Sequence, residues 1–171
     1  MPEKAARSGA TYAAHYADVH VLVRFDGQLL MGRRRHPTVF PRMFQIPAGL
    51  LEEHESARHG AARELREETG ILVSPENLRF VHVMHHVSTH AGDERIAFFF
   101  ETDHPHEEVD NPEPHRCDGW FWHKMTDLPQ PMPPYLNQAL KHIALGIQYS
   151  EYAWPLADRS SPSRARSARP R

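Results

Sequence analysis

The sequence predicts an α/β fold in which a mixed β-sheet lies between helices as a layered sandwich. Apolar or alternating segments of strand length come in pairs joined by tight turns, which indicates hairpins. Two longer segments carry the spacing and the end signals of helices, one between the hairpins and one after the last strand. Strands that arrive in hairpins and are flanked by two helices pack as a sheet between helical layers.

The strands are predicted from apolar or alternating runs that are bounded by turn residues. Asp26-Gly27 is a strong hairpin signal and joins the first two strands. A second hairpin is predicted around residues 90–93, and the segment 44–51 is predicted to be a buried strand that breaks at Pro47 and Gly49 and forms again. In chain order, the predicted strands are Val19 to Arg24, Gln28 to Arg33, Phe44 to Leu51, Leu78 to Ser88, Glu94 to Thr102 and Gly119 to Lys124.

Two helices are predicted from their end signals. The first begins near Ser56, whose hydroxyl can cap the first turn, and ends at Thr69-Gly70 with Gly70 in the left-handed conformation. The second runs from about Pro134 to Leu145 and is closed by Gly146.

Three acids crowd onto one face of the first predicted helix, because Glu64, Glu67 and Glu68 are spaced i, i+3 and i+4. Like charges at these spacings repel by about 0.2 to 0.5 kcal/mol per pair, and the negative end of the helix dipole disfavours them further. A divalent cation removes both penalties, and clustered carboxylates are the ligands that Mg²⁺ and Mn²⁺ prefer. The alternative is a solvated acidic helix face.

The acids belong to a longer pattern between Gly49 and Ile71. Its specified residues are Gly49, Glu55, Arg63, Glu64, Glu67, Glu68 and Gly70. The pattern G-x5-E-x7-R-E-U-x-E-E-x-G-U, with U apolar, resembles the Nudix box at every position, since Leu65 and Ile71 fill the apolar places. Many members carry Gly where this chain has His54. The resemblance implies a MutT-like Nudix hydrolase with an α/β/α sandwich.

The resemblance also implies roles for individual residues. Glu64, Glu67 and Glu68 would bind metal, with the carbonyl of Ala48 as an extra ligand. Arg63 would pair with Glu55 and hold the loop against the helix, so that the carboxylates converge. The residues that this implies for catalysis within the box are Glu64, Glu67 and Arg63, and those that would support the loop are Gly49, Glu55 and Gly70.

A second resemblance begins at Glu113. The segment from Glu113 to Trp120 is similar to the Glu-Pro-x-(Lys/Arg)-Cys stretch that precedes an aromatic strand in MutT-like nucleoside triphosphate diphosphatases. Glu113 is therefore a further candidate catalytic residue, which could complete the metal site or act as general base. The alternative assigns the base to Glu67 and leaves Glu113 on the surface. The aromatic run from Trp120 to Trp122 could stack a base or fill the core.

Two other polar groups are candidates for contact with substrate. Arg33, Arg34 and Arg35 end the second predicted strand, and arginine suits phosphate oxygens. In a Nudix-like arrangement this strand end lies near the substrate, so Arg33 and Arg35 are predicted to bind it; an exposed basic strand end is the alternative. The histidines His82, His86 and His90 share a strand face at spans too long for one zinc site, which favours a polar strand face or a lining of the substrate cleft.

The predicted reaction is hydrolysis of a phosphoanhydride by water attack at phosphorus, with Mg²⁺ as cofactor and Mn²⁺ as a possible substitute. The favoured substrate is a nucleoside or deoxynucleoside triphosphate, which would give the monophosphate and pyrophosphate. Nucleotide sugars, ADP-ribose and dinucleoside polyphosphates are alternative substrates. A nucleotide-binding module without catalysis is a further alternative, disfavoured because the box carboxylates are all present.

Composition predicts one globular domain over residues 13–157, because 171 residues with 40% hydrophobic and 25% charged content suffice for one core. Residues 1–12 and the basic tail 158–171 have the composition of disordered segments. A cytoplasmic location is expected, since Cys117 is the only cysteine and no run is apolar over a membrane span or a signal peptide. The expected partner is a small nucleotide rather than nucleic acid or membrane, with homodimerisation left open.

Overall fold

The computed structural model describes residues 13–35, 39–89, 91–106 and 108–154. The predicted disordered ends therefore lie outside the described residues, as does His90. The strands are β1 (Tyr16–Phe25), β2 (Gln28–Arg34), β3 (Phe44–Gln45), β4 (Ala48–Leu50), β5 (Arg79–Val87), β6 (Glu94–Asp103), β7 (Cys117–Lys124) and β8 (Tyr149–Tyr152). The helices are α1 (Ala57–Thr69) and α2 (Pro134–Ala144), with a 3-10 turn at Pro75–Asn77.

The strands form one mixed, eight-stranded sheet. Its main path runs β3-β2-β1-β6-β5-β8, while β4 pairs with β1 and β7 pairs with β2. Strand β1 pairs in parallel with β6 along its length and antiparallel with β2 at the Asp26-Gly27 turn. The start of β1 pairs with β4, where Asp18 lies opposite Leu50 and His20 opposite Ala48. This register places the first strand beside the glycine of the Nudix-like motif.

Both faces of the sheet are covered by a helix, which confirms the predicted sandwich. On one face, Val19, Val21 and Val23 of β1 pack in the same core as Ala61 and Leu65 of α1. On the other face, a second core is formed with α2, and its members include Leu22, Leu29, Met31, Phe99, Leu136 and Leu140. Because side chains alternate along a strand, the residues of β1 between the three valines point towards the α2 side. Within the described residues, neither helix has the length and hydropathy needed to cross a membrane.

The local end signals act as the sequence predicts. Ser56 caps α1 by accepting a hydrogen bond from the backbone N–H of His59 at 3.5 Å. Gly70 ends the helix with φ 75°, and its N–H donates to the carbonyl of Arg66 at 2.9 Å. Asp26 and Gly27 both have positive φ, as a two-residue hairpin turn of type I′ requires. The helix that carries the acids is therefore fixed at both ends.

Candidate active site

A cavity of about 530 Å³ opens beside β1 and β4, and both helices contribute to its wall. Two carboxylates from α1, Glu64 and Glu68, line it together with the cations Arg34 and Arg116. On the α2 side the same wall carries a second polar group, whose members are Asp18, His20, His86, Arg95 and Tyr135. The volume suits a ligand of nucleotide size.

Glu64 lies directly against the backbone of β4. A Cβ atom on Gly49 would stand 2.0 Å from the carboxyl carbon of Glu64, so no other residue fits at position 49 without displacing that carboxylate. Burial raises the pKa of Glu64, the hydrogen bond from Arg63 opposes this, and the charges of Glu67 and Glu113 raise it further. The close approach of the Glu64 carboxylate thus explains why the first position of the motif is a glycine.

Glu68 is enclosed by protein on most sides. Its Oε2 accepts a hydrogen bond from the N–H of Ala48 at 3.0 Å, and its backbone carbonyl accepts one from Nε1 of Trp120 at 2.8 Å. Burial raises the pKa of the Glu68 carboxyl to about 8, and the charges of Glu64 and Glu113 act in the same direction. Without a cation beside it, Glu68 is therefore mainly protonated at neutral pH.

Arg63 joins the loop to the carboxylates of α1. Its Nε and Nη2 donate to Glu55 at 2.9 and 2.8 Å, and Nη2 also donates to the carbonyl of Leu50 at 3.0 Å. Its Nη1 donates to Glu64 at 2.7 Å and to Glu67 at 3.3 Å. The hydrogen bonds that Arg63 donates to Glu55 lower the pKa of Glu55. The predicted pair between Arg63 and Glu55 is present, and it extends to two of the acids.

Glu67 lies outside the cavity wall. Its side chain is 45% exposed and faces Arg63 at 3.3 Å and Arg66 at 3.9 Å. Within the part of the chain that the structure describes, no three His, Cys, Asp or Glu side chains are arranged as a ready metal site. The chemistry of the donors nevertheless fits a hard divalent cation, since Glu64 and Glu68 are carboxylates whose raised pKa values a cation would lower.

Glu113 lies close enough to the acids of α1 for its charge to raise the pKa of both Glu64 and Glu68. Its side chain is 26% exposed and lies 3.4 Å from Nη1 of Arg116. Its backbone carbonyl accepts hydrogen bonds from the N–H groups of Arg116 and Cys117, which closes the turn before β7. Glu113 is thus near the acids, although it is absent from the cavity wall itself.

The structure separates the three arginines at the end of β2. Arg33 forms an ion pair with Asp118 at 2.6 Å, and Arg35 lies 3.5 Å from the same carboxylate and donates to the carbonyl of Pro114. Arg34 lines the cavity, lowers the pKa of Glu68 and makes no side-chain hydrogen bond or ion pair within the described residues. The two arginines predicted to bind substrate therefore lie off the cavity wall, and the one between them lies on it.

Of the polar group on the α2 side of the cavity, sequence reasoning had named only His86, as a residue of a polar strand face or of the substrate cleft, and it missed the other four members. Asp18 and His20 alternate with the buried valines of β1, and a polar residue at every second position of an apolar strand is the signal that marks them. His82 has a structural place, because its ring nitrogens contact the carbonyl of Ile147 at 2.7 Å and Oγ of Ser150 at 2.8 Å. His86 lines the cavity instead.

The aromatic run from Trp120 to Trp122 on β7 does not line the cavity, and its two tryptophans pack in or against the core. Trp120 is buried in the core beside α1, and Trp122 packs partly buried against the same core. Phe121 is 52% exposed. None of the three rings lies on the cavity wall.

Comparisons with known proteins agree with this fold and motif. The family model described as NUDIX domain matches residues 14–143. The chain is 27% identical over 126 residues to an RNA pyrophosphohydrolase of Rhizobium meliloti (strain 1021), a match that covers 64% of this chain and 75% of that protein. It is 42% identical over 62 residues to a MutT-like protein of Streptomyces ambofaciens, covering 36% of this chain and 38% of that one.

Among solved structures, the fold is similar to that of a MutT NUDIX hydrolase from Burkholderia pseudomallei. The TM-score is 0.67 at 23% sequence identity, over 75% of this chain and 97% of that one. The family match spans most of the chain and includes the whole segment from Gly49 to Ile71. The chain therefore belongs to the NUDIX domain family, as a MutT-like Nudix hydrolase of substrates in which a nucleoside diphosphate is linked to another group.

Proposed function

We propose that this protein hydrolyses a nucleoside or deoxynucleoside triphosphate to the monophosphate and pyrophosphate. The observation that carries the proposal is the cavity, where Glu64 and Glu68 share one wall with Arg34 and Arg116. A polyphosphate chain needs cations along its length, and the acids supply a place for a metal ion beside the arginines. The similarity of the segment at Glu113 to nucleoside triphosphate diphosphatases favours this substrate class over nucleotide sugars, ADP-ribose and dinucleoside polyphosphates.

Mg²⁺, with Mn²⁺ as a substitute, would be held by Glu64, Glu67, Glu68 and the carbonyl of Ala48. When bound, the ion supplies charge for the phosphate oxygens and lowers the pKa of a coordinated water. The N–H of Ala48 holds the carboxylate of Glu68 in place, and Arg63 holds those of Glu64 and Glu67.

Glu67 and Glu113 are the two candidates for accepting the proton of the attacking water. Glu67 is exposed and held by Arg63, whereas Glu113 is largely covered and near both Glu64 and Glu68. Conversion of the general base to glutamine should lower the rate at saturating substrate. In Glu113→Gln this loss should come with little change in metal affinity, whereas Glu67→Gln should also weaken metal binding, because Glu67 is a proposed metal ligand.

A screen of purified protein tests the proposed reaction. Nucleoside triphosphates, nucleotide sugars, ADP-ribose, dinucleoside polyphosphates and 5′-triphosphate RNA are each incubated with Mg²⁺, and the products are identified by chromatography. RNA is included because the Rhizobium meliloti relative is named an RNA pyrophosphohydrolase. We expect pyrophosphate from triphosphates, abolished by EDTA and restored by Mg²⁺ or Mn²⁺. Preferred cleavage of another substrate, or activity that persists in EDTA, would contradict the proposal.

Arg34 takes the phosphate-binding role that the sequence assigned to Arg33 and Arg35, since Asp118 already engages those two. Arg34→Gln is therefore expected to lower kcat/KM at least about tenfold, the usual effect of losing a hydrogen bond to a charged group. Arg33→Gln is the matched control and should change kcat/KM less than about threefold, because it removes only an exposed pair. Steady-state kinetics on the best substrate of the screen measure both, and a larger loss in Arg33→Gln would reverse the assignment.

A further inference from the structure

Two histidines on the cavity wall each have a ring nitrogen without a partner. The residues His20 and His86 are both only 4% exposed. Neither Nε2 atom makes a hydrogen bond within the described residues. His86 Nε2 stands 3.9 Å from Oδ2 of Asp18, which is beyond hydrogen-bonding distance. Buried polar atoms in native proteins are normally paired, so two such atoms on one cavity wall point to a ligand that pairs with them.

The guanidinium beside these histidines, that of Arg95, is already paired with two carboxylates. Asp18, itself 8% exposed, accepts a hydrogen bond from Nη1 of Arg95 at 2.9 Å, and Nη2 of Arg95 binds Asp93 at 2.6 Å. Both imidazoles are buried, and neither Nε2 has an acceptor within hydrogen-bonding distance, which disfavours a charged ring. This part of the cavity therefore offers no spare positive charge for a phosphate, unlike the wall at Arg34. It fits an uncharged polar group.

Stacked rings hold the two imidazoles in fixed directions. His86 lies parallel to the ring of Tyr135, with centroids 5.2 Å apart at 9°, and His20 lies on Phe99 at 4.5 Å and 13°. The edge of Tyr135 also faces His20, with centroids 5.8 Å apart. Phe40 lines the cavity 6.0 Å from Tyr135 and adds an apolar surface. Rings on the wall favour a flat ligand, and the fixed Nε2 atoms favour a hydrogen-bonding edge.

We propose that Asp18, His20 and His86, with Tyr135 behind them, recognise the nucleobase of the substrate. The inference rests on the proposed function, because it takes the substrate to be a nucleotide whose phosphates lie at Glu64, Glu68 and Arg34. Each neutral imidazole can donate or accept at Nε2, and the carboxylate of Asp18, which already accepts from Arg95, has a second oxygen that can accept. A base that presents an N–H group to Asp18 and a complementary pattern to the histidines is preferred over the others.

Paired substitutions test this assignment. An asparagine amide mimics the Nδ1 position of histidine and removes the atom at Nε2, whereas a glutamine amide reaches the Nε2 position. Binding of the four nucleoside monophosphates is measured by calorimetry in EDTA, which separates base recognition from metal and from turnover. We expect wild type to prefer one base at least about tenfold, and His20→Asn and His86→Asn to reduce that preference to about threefold or less. His20→Gln and His86→Gln should retain most of it.

The outcomes distinguish this inference from the proposed function. Base-selective binding without triphosphate hydrolysis contradicts the proposed reaction and supports the base site. Hydrolysis combined with equal binding of all four monophosphates overturns the base site alone. Loss of affinity on removal of the ribose 2′-hydroxyl, with no dependence on the base, assigns the histidines to the sugar and also overturns it. An unchanged base preference in both asparagine variants also overturns the base site. The same holds if no monophosphate binds at millimolar concentration.

Discussion

Glu68→Gln is expected to lower kcat by at least about a hundredfold and, in metal-free buffer, to make the folded protein more stable. The loss of rate follows from the removal of one carboxylate from the proposed metal site. The gain in stability has a separate cause, since Glu68 is a half-buried acid. Within the described residues its carboxylate accepts one hydrogen bond, from the N–H of Ala48. A glutamine oxygen accepts the same hydrogen bond without carrying a charge.

The stability effect depends on pH in a defined direction. The pKa of Glu68 is raised from 4.5 to about 8, so the folded protein holds a proton that the unfolded chain has lost over this range. The stabilisation from that proton is complete below pH 4.5 and is lost as the pH rises to about 8. A glutamine at position 68 does not titrate, so its stabilisation is not lost as the pH rises. The variant and wild type should therefore have similar free energies of unfolding at low pH. At pH 8 the variant should be more stable by about 1 to 3 kcal/mol, allowing for the access of solvent from the cavity.

Urea unfolding at several pH values and steady-state kinetics measure the two effects. Glu53→Gln is the control, because Glu53 is 89% exposed and should affect neither rate nor stability. Added Mg²⁺ should stabilise wild type and have a smaller effect on Glu68→Gln. Normal turnover in Glu68→Gln would remove Glu68 from the proposed metal site. A stability difference that does not change with pH would contradict the raised pKa of Glu68.

The predictable parts of this protein are those set by local sequence. Helix α1 was predictable because its periodicity, the Ser56 cap and the Gly70 end lie within one short segment. Strand β8 was missed because its four residues, Tyr149–Tyr152, are largely polar, and its strand character comes from parallel pairing with the distant β5. The metal-ligand candidates come from one helix and its preceding loop, so their spacing identifies the family. That spacing contains no information on what else faces the cavity.

The remaining site residues depend on which way a strand presents its side chains. Arg34 pairs with Cys117 of β7 and lines the cavity, whereas Arg33 and Arg35 contact Asp118 and lie off the cavity wall. The cavity also combines Asp18 and His20 from β1 with Tyr135 from α2, which are more than a hundred residues apart in the chain. No local pattern joins residues at such a separation. Sequence reasoning therefore identified the family and its carboxylates, but not Asp18, His20 and Tyr135 on the cavity wall.

Arg63→Lys is expected to destabilise the protein by about 2 to 4 kcal/mol and to lower kcat/KM by at least about tenfold. The guanidinium of Arg63 is 16% exposed and reaches Glu55, Glu64, Glu67 and the carbonyl of Leu50 at once. A lysine ammonium is a single point that cannot span these partners, so at least one covered carboxylate loses its hydrogen bond. The loop at Glu55 would then no longer be tied to the helix that carries Glu64.

Arg66→Lys is the matched control on the same helix. Arg66 is 60% exposed, and its only ion pair within the described residues is with Glu67 at 3.9 Å, so its replacement should change stability by less than about 0.5 kcal/mol. Arg63 acts as a positioning residue, so Arg63→Lys should also weaken Mn²⁺ binding measured by calorimetry, whereas simple destabilisation would leave the affinity of the folded protein unchanged. Equal behaviour of the two lysine variants would show that Arg63 is not what holds the carboxylates together.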